Sequence, residues 1–142
     1  MVTIRPYTTA DYDQLVLLLQ EAELFASTWE SKENLESMIK DNPNAVLVGV
    51  DGDTIVASVF SLPYGKKITF FYRLAVKKSH RNQGIATAML EHAEKAAKAQ
   101  GVIETCLFAD THNEMLQAFY RKRGFVTSEH TYTCFWKEYS NK

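Results

Sequence analysis

Residues 74–90 read L-A-V-K-K-S-H-R-N-Q-G-I-A-T-A-M-L. A basic loop runs into a glycine, Gly84, and small apolar residues then recur at helical spacing. That is the layout of an anion cradle. Backbone N–H groups at a helix start have no intrahelical acceptor, and the helix dipole adds partial positive charge there. Gly84 clears the side chain from the place a phosphate must approach, Ala86 keeps the next turn small, and Arg81 adds a cation. The chemistry this fits is pyrophosphate binding. No G-K-[ST] follows, so it is not a Walker loop, and the three-glycine dinucleotide fingerprint is missing.

Charge along the chain agrees with a small anionic ligand. Residues 1–45 hold eight acids and three bases, net −5, and residues 46–142 hold nine acids and thirteen bases, net +4. Between Thr54 and Leu90 there is no Asp or Glu, while Lys66, Lys67, Arg73, Lys77, Lys78 and Arg81 all fall there. The total of −1 disfavours a general nucleic-acid binder. No apolar run reaches the ~18 residues of a membrane span, and M-V-T-I-R-P-Y lacks the features of a signal peptide. Cys106 and Cys134 form no C-x-x-C pair and are expected as reduced thiols in strands of a cytosolic protein. His80, His92, His112 and His130 lack metal-ligand spacing, so no metal is expected.

The elements that must position the cradle follow from periodicity. Val2–Arg5 reads as a strand ended by Pro6. Thr8 with Asp11 forms a capping box before a helix to about Glu23, carrying Leu15, Leu18, Leu19 and Ala22 on one face. Ser31 caps a second helix that Asp41-Asn42-Pro43 ends. Ala45–Val50, Asp51-Gly52 and Thr54–Leu62 make a hairpin, Pro63-Tyr64-Gly65 a loop, and Ile68–Val76 a long strand. Gly84 opens and Gly101 closes a helix, Glu104–Ala109 is a strand, and Asn113–Arg123 is a helix stopped by Gly124. Phe125–Lys137 alternates like two strands turning near Glu129-His130. The class is α/β of the α+β kind, one domain over 1–142, with a parallel crossover between residues 68 and 109.

The string R-N-Q-G-I-A, Arg81 to Ala86, resembles the R/Q-x-x-G-x-G/A motif of the GNAT superfamily of acyl-CoA-dependent N-acetyltransferases. I-R-P-Y-T-T-A-D at 4–11 is similar to that family's first strand and helix cap, and L-A-V at 74–76 to the end of its fourth strand. N-E-M-L-Q-A-F-Y-R-K-R-G-F at 113–125 is similar to its late N-x(4)-A-x-x-F/Y-Y-x-x-x-G-F block. The resemblance implies a mixed central sheet of six to seven strands flanked by about four helices. It implies acetyl-CoA as cosubstrate: Leu74, Ala75 and Val76 along the pantetheine arm, and Arg81, Asn82, Gln83, Gly84, Ile85, Ala86 and Thr87 around the pyrophosphate. Asn113 would contact the pantetheine, and the Tyr120 hydroxyl would lie near the thioester sulfur as catalytic acid. The implied reaction is direct attack of an amine on the thioester, without a covalent enzyme intermediate.

Several roles stay open at this level. Tyr120 sits on the inward face of an amphipathic helix, where a core tyrosine also fits, and Asn113 is an ordinary N-cap type. Where family members carry a carboxylate base, on the fourth or fifth strand, this chain has Phe70 and Phe108. The base is then Glu23 or His112 acting through water, or there is none. Glu21, Glu23 and Glu30 flank Leu24, Phe25 and Trp29, an acidic and aromatic rim for a cationic small-molecule or peptide amine. Glu23, Phe25, Trp29, Phe70 and Tyr72 are the acceptor-site candidates, although such aromatics are more often core. A catalytically weak acyl-CoA sensor, or an enzyme acting on protein N-termini or lysines, would carry the same motifs. The last strands offer an edge that a second copy can pair with, giving a homodimer.

Overall fold

The computed structural model describes residues 1–139. The chain divides into two compact units, the first running to Phe108 and the second starting at Ala109. The expected domain extends to Lys142, and residues 140–142 lie outside the described residues.

The first unit is a sheet in the order β1-β2-β3-β4-β5. Its strands are β1 (Val2–Pro6), β2 (Val46–Asp51), β3 (Thr54–Tyr64), β4 (Ile68–Val76) and β5 (Glu104–Leu107). Successive pairs are antiparallel except β4 with β5, which run parallel and are joined by helix α3 (Ile85–Ala99). Helices α1 (Tyr12–Glu21) and α2 (Lys32–Asp41) precede β2. Ser31 caps α2 as its type predicts, its hydroxyl accepting from Asn34 N at 3.1 Å. Asp11 closes the capping box on Thr8 N at 2.8 Å and also receives the Arg5 guanidinium at 2.7 and 2.9 Å.

The two faces of the sheet carry different layers. Leu15, Leu18 and Leu19 of α1 and Leu35 of α2 bury Val46, Val48 and Phe60. Gly49 points to the other face, by strand alternation, and α3 lies there. A Cβ at Gly49 would stand 3.2 Å from Met89 Sδ and 3.1 Å from Ala57 Cβ, so this glycine is what lets α3 seat on β2. No helix among the described residues is long and apolar enough to cross a membrane.

β3 continues through Pro63 and Tyr64, which pair with Thr69 and Ile68, where the sequence alone predicts a loop. β2 has already ended opposite Phe60, so β3 is an edge on that side and a proline costs no ladder bond.

The second unit holds helix α4 (Glu114–Lys122), capped by Asn113, whose side-chain oxygen accepts from Leu116 N at 3.0 Å. Gly124 ends it at φ +93°, with Phe125 N donating to Tyr120 O at 3.1 Å. Residues 125–139 form no strand, against the two strands expected from their alternation, and Val126, Tyr132, Phe135 and Trp136 are exposed. Among the described residues the sheet therefore has five strands, not six to seven. Alternation tells which side chains share a face. It does not supply the neighbouring backbone a strand must bond to. Cys134 consequently sits outside any strand and exposed, while Cys106 lies half-buried in β5; both are free thiols.

Candidate active site

The site begins where β4 loses its partner. The parallel ladder runs from Ile68↔Glu104 to Phe71↔Leu107 and stops because β5 ends there. Residues 72–76 of β4 remain bonded to β3 alone among the described residues, so the far edge presents free backbone groups. Within that stretch the register with β3 slips: Tyr72 faces Phe60 but Ala75 faces Ser58, so Arg73 and Leu74 together oppose the single residue Val59. This is a β-bulge, and Arg73 takes φ +53° to make it. The buried Ser58 hydroxyl holds it by donating to Arg73 O at 2.8 Å.

The loop that follows is tethered on three sides. Lys78 N donates to Glu21 Oε1 at 2.6 Å, at the end of α1. His80 Nε2 meets Asp51 Oδ2 at 2.8 Å on the β2–β3 hairpin, and Ser79 Oγ meets His80 Nδ1 at 2.7 Å. That hydrogen bond, with the nearby chain amino group, holds the Asp51 carboxyl below its usual range. Arg81 Nε donates to Val76 O at 3.1 Å, which folds the loop back on the free end of β4. Asn82 and Gly84 both adopt left-handed backbone, at φ +62° and +78°.

Gly84 is the residue before α3, and the helix ladder starts with Ala88 N bonding Gly84 O at 3.1 Å. The Ile85 and Ala86 N–H groups come before that ladder and are directed out of the helix end. A Cβ on Gly84 would meet nothing within 4 Å. Backbone conformation is thus what demands glycine here, and the space in front of it is open. Leu74, Ala75, Val76, Arg81, Asn82, Gln83, Gly84, Ile85, Ala86 and Thr87 are all brought onto this one continuous corner of the first unit.

The α1–α2 connection corrects the expected acidic rim. Glu30 is 1% exposed. Its carboxylate is paired with Arg73, Oε2 to Nε at 3.1 Å and Oε1 to Nη2 at 3.3 Å, and Oε1 also accepts from Ala26 N at 2.9 Å. Glu21 is occupied by the Lys78 N–H. Of the three acids only Glu23, exposed and at φ +59°, remains uncommitted among the described residues. Removing one partner of a buried ion pair costs about 3–5 kcal/mol, since it strands the other charge.

The aromatic candidates separate in the same way. Trp29 is 53% exposed, with the Arg73 guanidinium over its ring at 5.4 Å. Phe25 and Tyr72 are half-buried and pack on the core; Tyr72 sets its edge against Phe60 at 5.3 Å. Burial, aided by the Glu30 charge, pushes the Tyr72 hydroxyl up to about 12, so it stays protonated. Phe70 and Phe108 stack at 5.8 Å and 17°, with Phe108 just past the last β4–β5 pair.

In the second unit, Tyr120 is buried on the inner face of α4, edge-on to Phe119 at 5.5 Å and Phe125 at 5.8 Å. Burial raises its hydroxyl above the ordinary tyrosine value, which keeps it a proton donor. Asn113 spends its side-chain oxygen on the helix cap. His112 is exposed, its backbone N–H bonded to Asp110 Oδ1 at 2.8 Å. Among the described residues no three His, Cys, Asp or Glu side chains are grouped to hold a metal ion.

The model of the acetyltransferase (GNAT) family matches residues 12–125. The chain belongs to the GNAT acetyltransferase family. Transfer of an acetyl group from acetyl-CoA is general to GNAT enzymes. A Yersinia pestis protein named acetyltransferase is 25% identical over 126 residues, covering 89% of each chain. N-alpha-acetyltransferase 30 of Schizosaccharomyces pombe is 27% identical over 136 residues, covering 93% of this chain and 89% of its own. Among solved structures, the PaiA N-acetyltransferase of Thermoplasma acidophilum, in complex with coenzyme A, superposes with a TM-score of 0.81. It is 21% identical, over 92% of this chain and 93% of that one, and confirms the GNAT fold.

Glu30, Arg73, Ser58 and the Glu21 and Asp51 tethers are what sequence reasoning missed. One signal was present: Arg73 is the lone charge in I-T-F-F-Y-R-L-A-V, and a charge in an apolar strand needs a counter-charge.

Proposed function

We propose that this GNAT chain transfers an acetyl group from acetyl-CoA to a primary amine by direct attack. The observation that carries the reading is the corner where the free edge of β4 meets the Gly84-led start of α3. A free strand edge matches the amides of a pantetheine arm, and the open helix start beside Arg81 matches a diphosphate. The amine lone pair attacks the thioester carbonyl carbon, the carbonyl oxygen gathers negative charge, and the C–S bond then breaks. The departing thiolate takes a proton from the Tyr120 hydroxyl, the ammonium formed on attack loses one to solvent as it becomes the amide, and solvent returns a proton to the Tyr120 oxygen. With the Phe70–Phe108 stack at the positions a carboxylate base would hold, the amine arrives neutral or sheds its proton through water.

The acceptor side is the α1–α2 connection, with Trp29 and Phe25 as walls and Glu23 as its free carboxylate. That supports an amine carried on an apolar or aromatic body, with one carboxylate to attract a second cation. A peptide α-amino group is the second reading, favoured by the likeness to N-alpha-acetyltransferase 30. The test is release of free thiol from acetyl-CoA with spermidine, an aminoglycoside, free amino acids and short peptides. Turnover with at least one class is expected. CoA that binds in calorimetry without turnover by any of them would instead make the chain an acyl-CoA sensor.

A further inference from the structure

Arg73 occupies a position whose backbone does not favour it. At φ +53° in a bulge, glycine or asparagine would be at ease, whereas a long side chain adds strain. The cost is offset by what the side chain does. Its guanidinium forks onto Glu30, which is almost fully buried, and lies over the Trp29 ring. Glu30 in turn closes the 26–30 turn, through Oε1 to Ala26 N and through its backbone N–H to Ala26 O at 2.8 Å. Its carbonyl accepts from Tyr12 Oη at 2.8 Å, and the Trp29 carbonyl accepts from Asn34 Nδ2 at 2.6 Å. One residue thus shapes the free edge of β4 with its main chain and fixes the α1–α2 connection with its side chain.

We infer that Arg73 is a positioning residue that couples the two walls of the transfer site: the β4 bulge on the thioester side and the Trp29 segment on the acceptor side. The inference rests on the acetyl-transfer reading. The Glu30 carboxylate is the second half of the joint. Glu30 is buried with Arg73 as its charged partner, so the two walls are tied through this one ion pair. Arg73 is not itself a proton donor or acceptor in the reaction. Its effect on transfer comes from holding the amine and the carbonyl carbon in line, where a misplacement of about 1 Å can cost on the order of 100-fold in rate.

Hydrogen exchange read by mass spectrometry on the free protein tests the joint directly, comparing wild type with Glu30→Gln and Arg73→Lys. Exchange is expected to rise about tenfold or more in segments 22–30 and 72–76 together, with β2 and α3 unchanged. A rise in only one of the segments, or in neither, overturns the coupling. Should a single change unfold the chain, Glu30→Met with Arg73→Met removes both charges at similar volume, and the same paired rise is expected. CoA is the second probe. In wild type it should protect 22–30 as well as 72–76, and Arg73→Lys should lose the protection of 22–30 while keeping CoA affinity within about threefold; protection of 72–76 alone in wild type also overturns it. For whichever amine turns over, the acceptor KM should rise and kcat fall in Arg73→Lys with the acetyl-CoA KM little changed. Wild type that fails to bind CoA in calorimetry refutes the acetyl-transfer reading, and the free-protein exchange then decides the joint by itself.

Discussion

The proposed cofactor side and the proposed acceptor side of this protein are built from different materials. On the cofactor side the contact surface is backbone: the one-sided end of β4 and the first turn of α3. Side chains there act as guy-lines, with Glu21 on Lys78 N, Asp51 on His80 and Arg81 on Val76 O. On the acceptor side the contact surface is side chains: Trp29, Phe25 and the Phe70–Phe108 stack, with Glu30 and Arg73 hidden beneath. The difference fits the two ligands proposed. A diphosphate on an amide-bearing arm offers the same hydrogen-bond pattern to any backbone that can meet it. An amine carried on a variable body is discriminated by shape and charge, which only side chains supply.

The sharpest way to break that comparison is at Gly84. Gly84→Glu forces a left-handed backbone on a non-glycine and places a carboxylate in front of the helix start. CoA affinity should fall by about 100-fold or more in calorimetry, well beyond what the drop of several degrees in melting temperature that the backbone strain at this position causes would account for. Unchanged CoA affinity would mean the backbone corner is not the cofactor surface. Next in size is Tyr120→Phe, which keeps the ring against Phe119 and Phe125 and removes only the hydroxyl. If that hydroxyl protonates the thiolate, kcat should drop by about 100-fold or more at constant CoA affinity; turnover equal to wild type makes Tyr120 a core residue.

The smallest effect belongs to a guy-line. The folded Asp51 carboxyl is held below its unfolded value, so its contribution to stability is present above about pH 4 and is lost as pH falls through the lowered folded value. Asp51→Asn should therefore melt slightly below wild type near neutral pH, and the gap should close in acid. Asp51 is exposed, so the gap should be no more than a degree or two. A gap that widens in acid would show that the His80 contact is not what holds the carboxyl down.

The glycine-led helix start behind a basic loop was legible because its signals are local. A glycine ahead of an apolar helical period, a basic loop and a β-branched strand before it all lie within about twenty residues, and each is a propensity of the chain itself. Ser31 and Asn113 were legible as caps for the same reason. The strands expected across Phe125–Lys137 were misread because an alternating pattern fixes faces without guaranteeing a partner edge. The acidic rim was misread because Glu21, Glu23 and Glu30 look alike in sequence. One accepts a loop N–H, one is exposed, and one is buried on Arg73, forty-three residues away.

By itself, then, the sequence determined where helices begin and end, which faces are apolar, and that a glycine-led helix follows a basic loop, since these depend on neighbours along the chain. Only the tertiary structure decided that β5 stops short of the end of β4, that Arg73 bulges the strand, and that Glu30 is drawn inside to meet it. Those outcomes depend on contacts between segments distant in sequence, where burial turns a surface charge into a buried pair and a missing neighbour leaves a strand edge free.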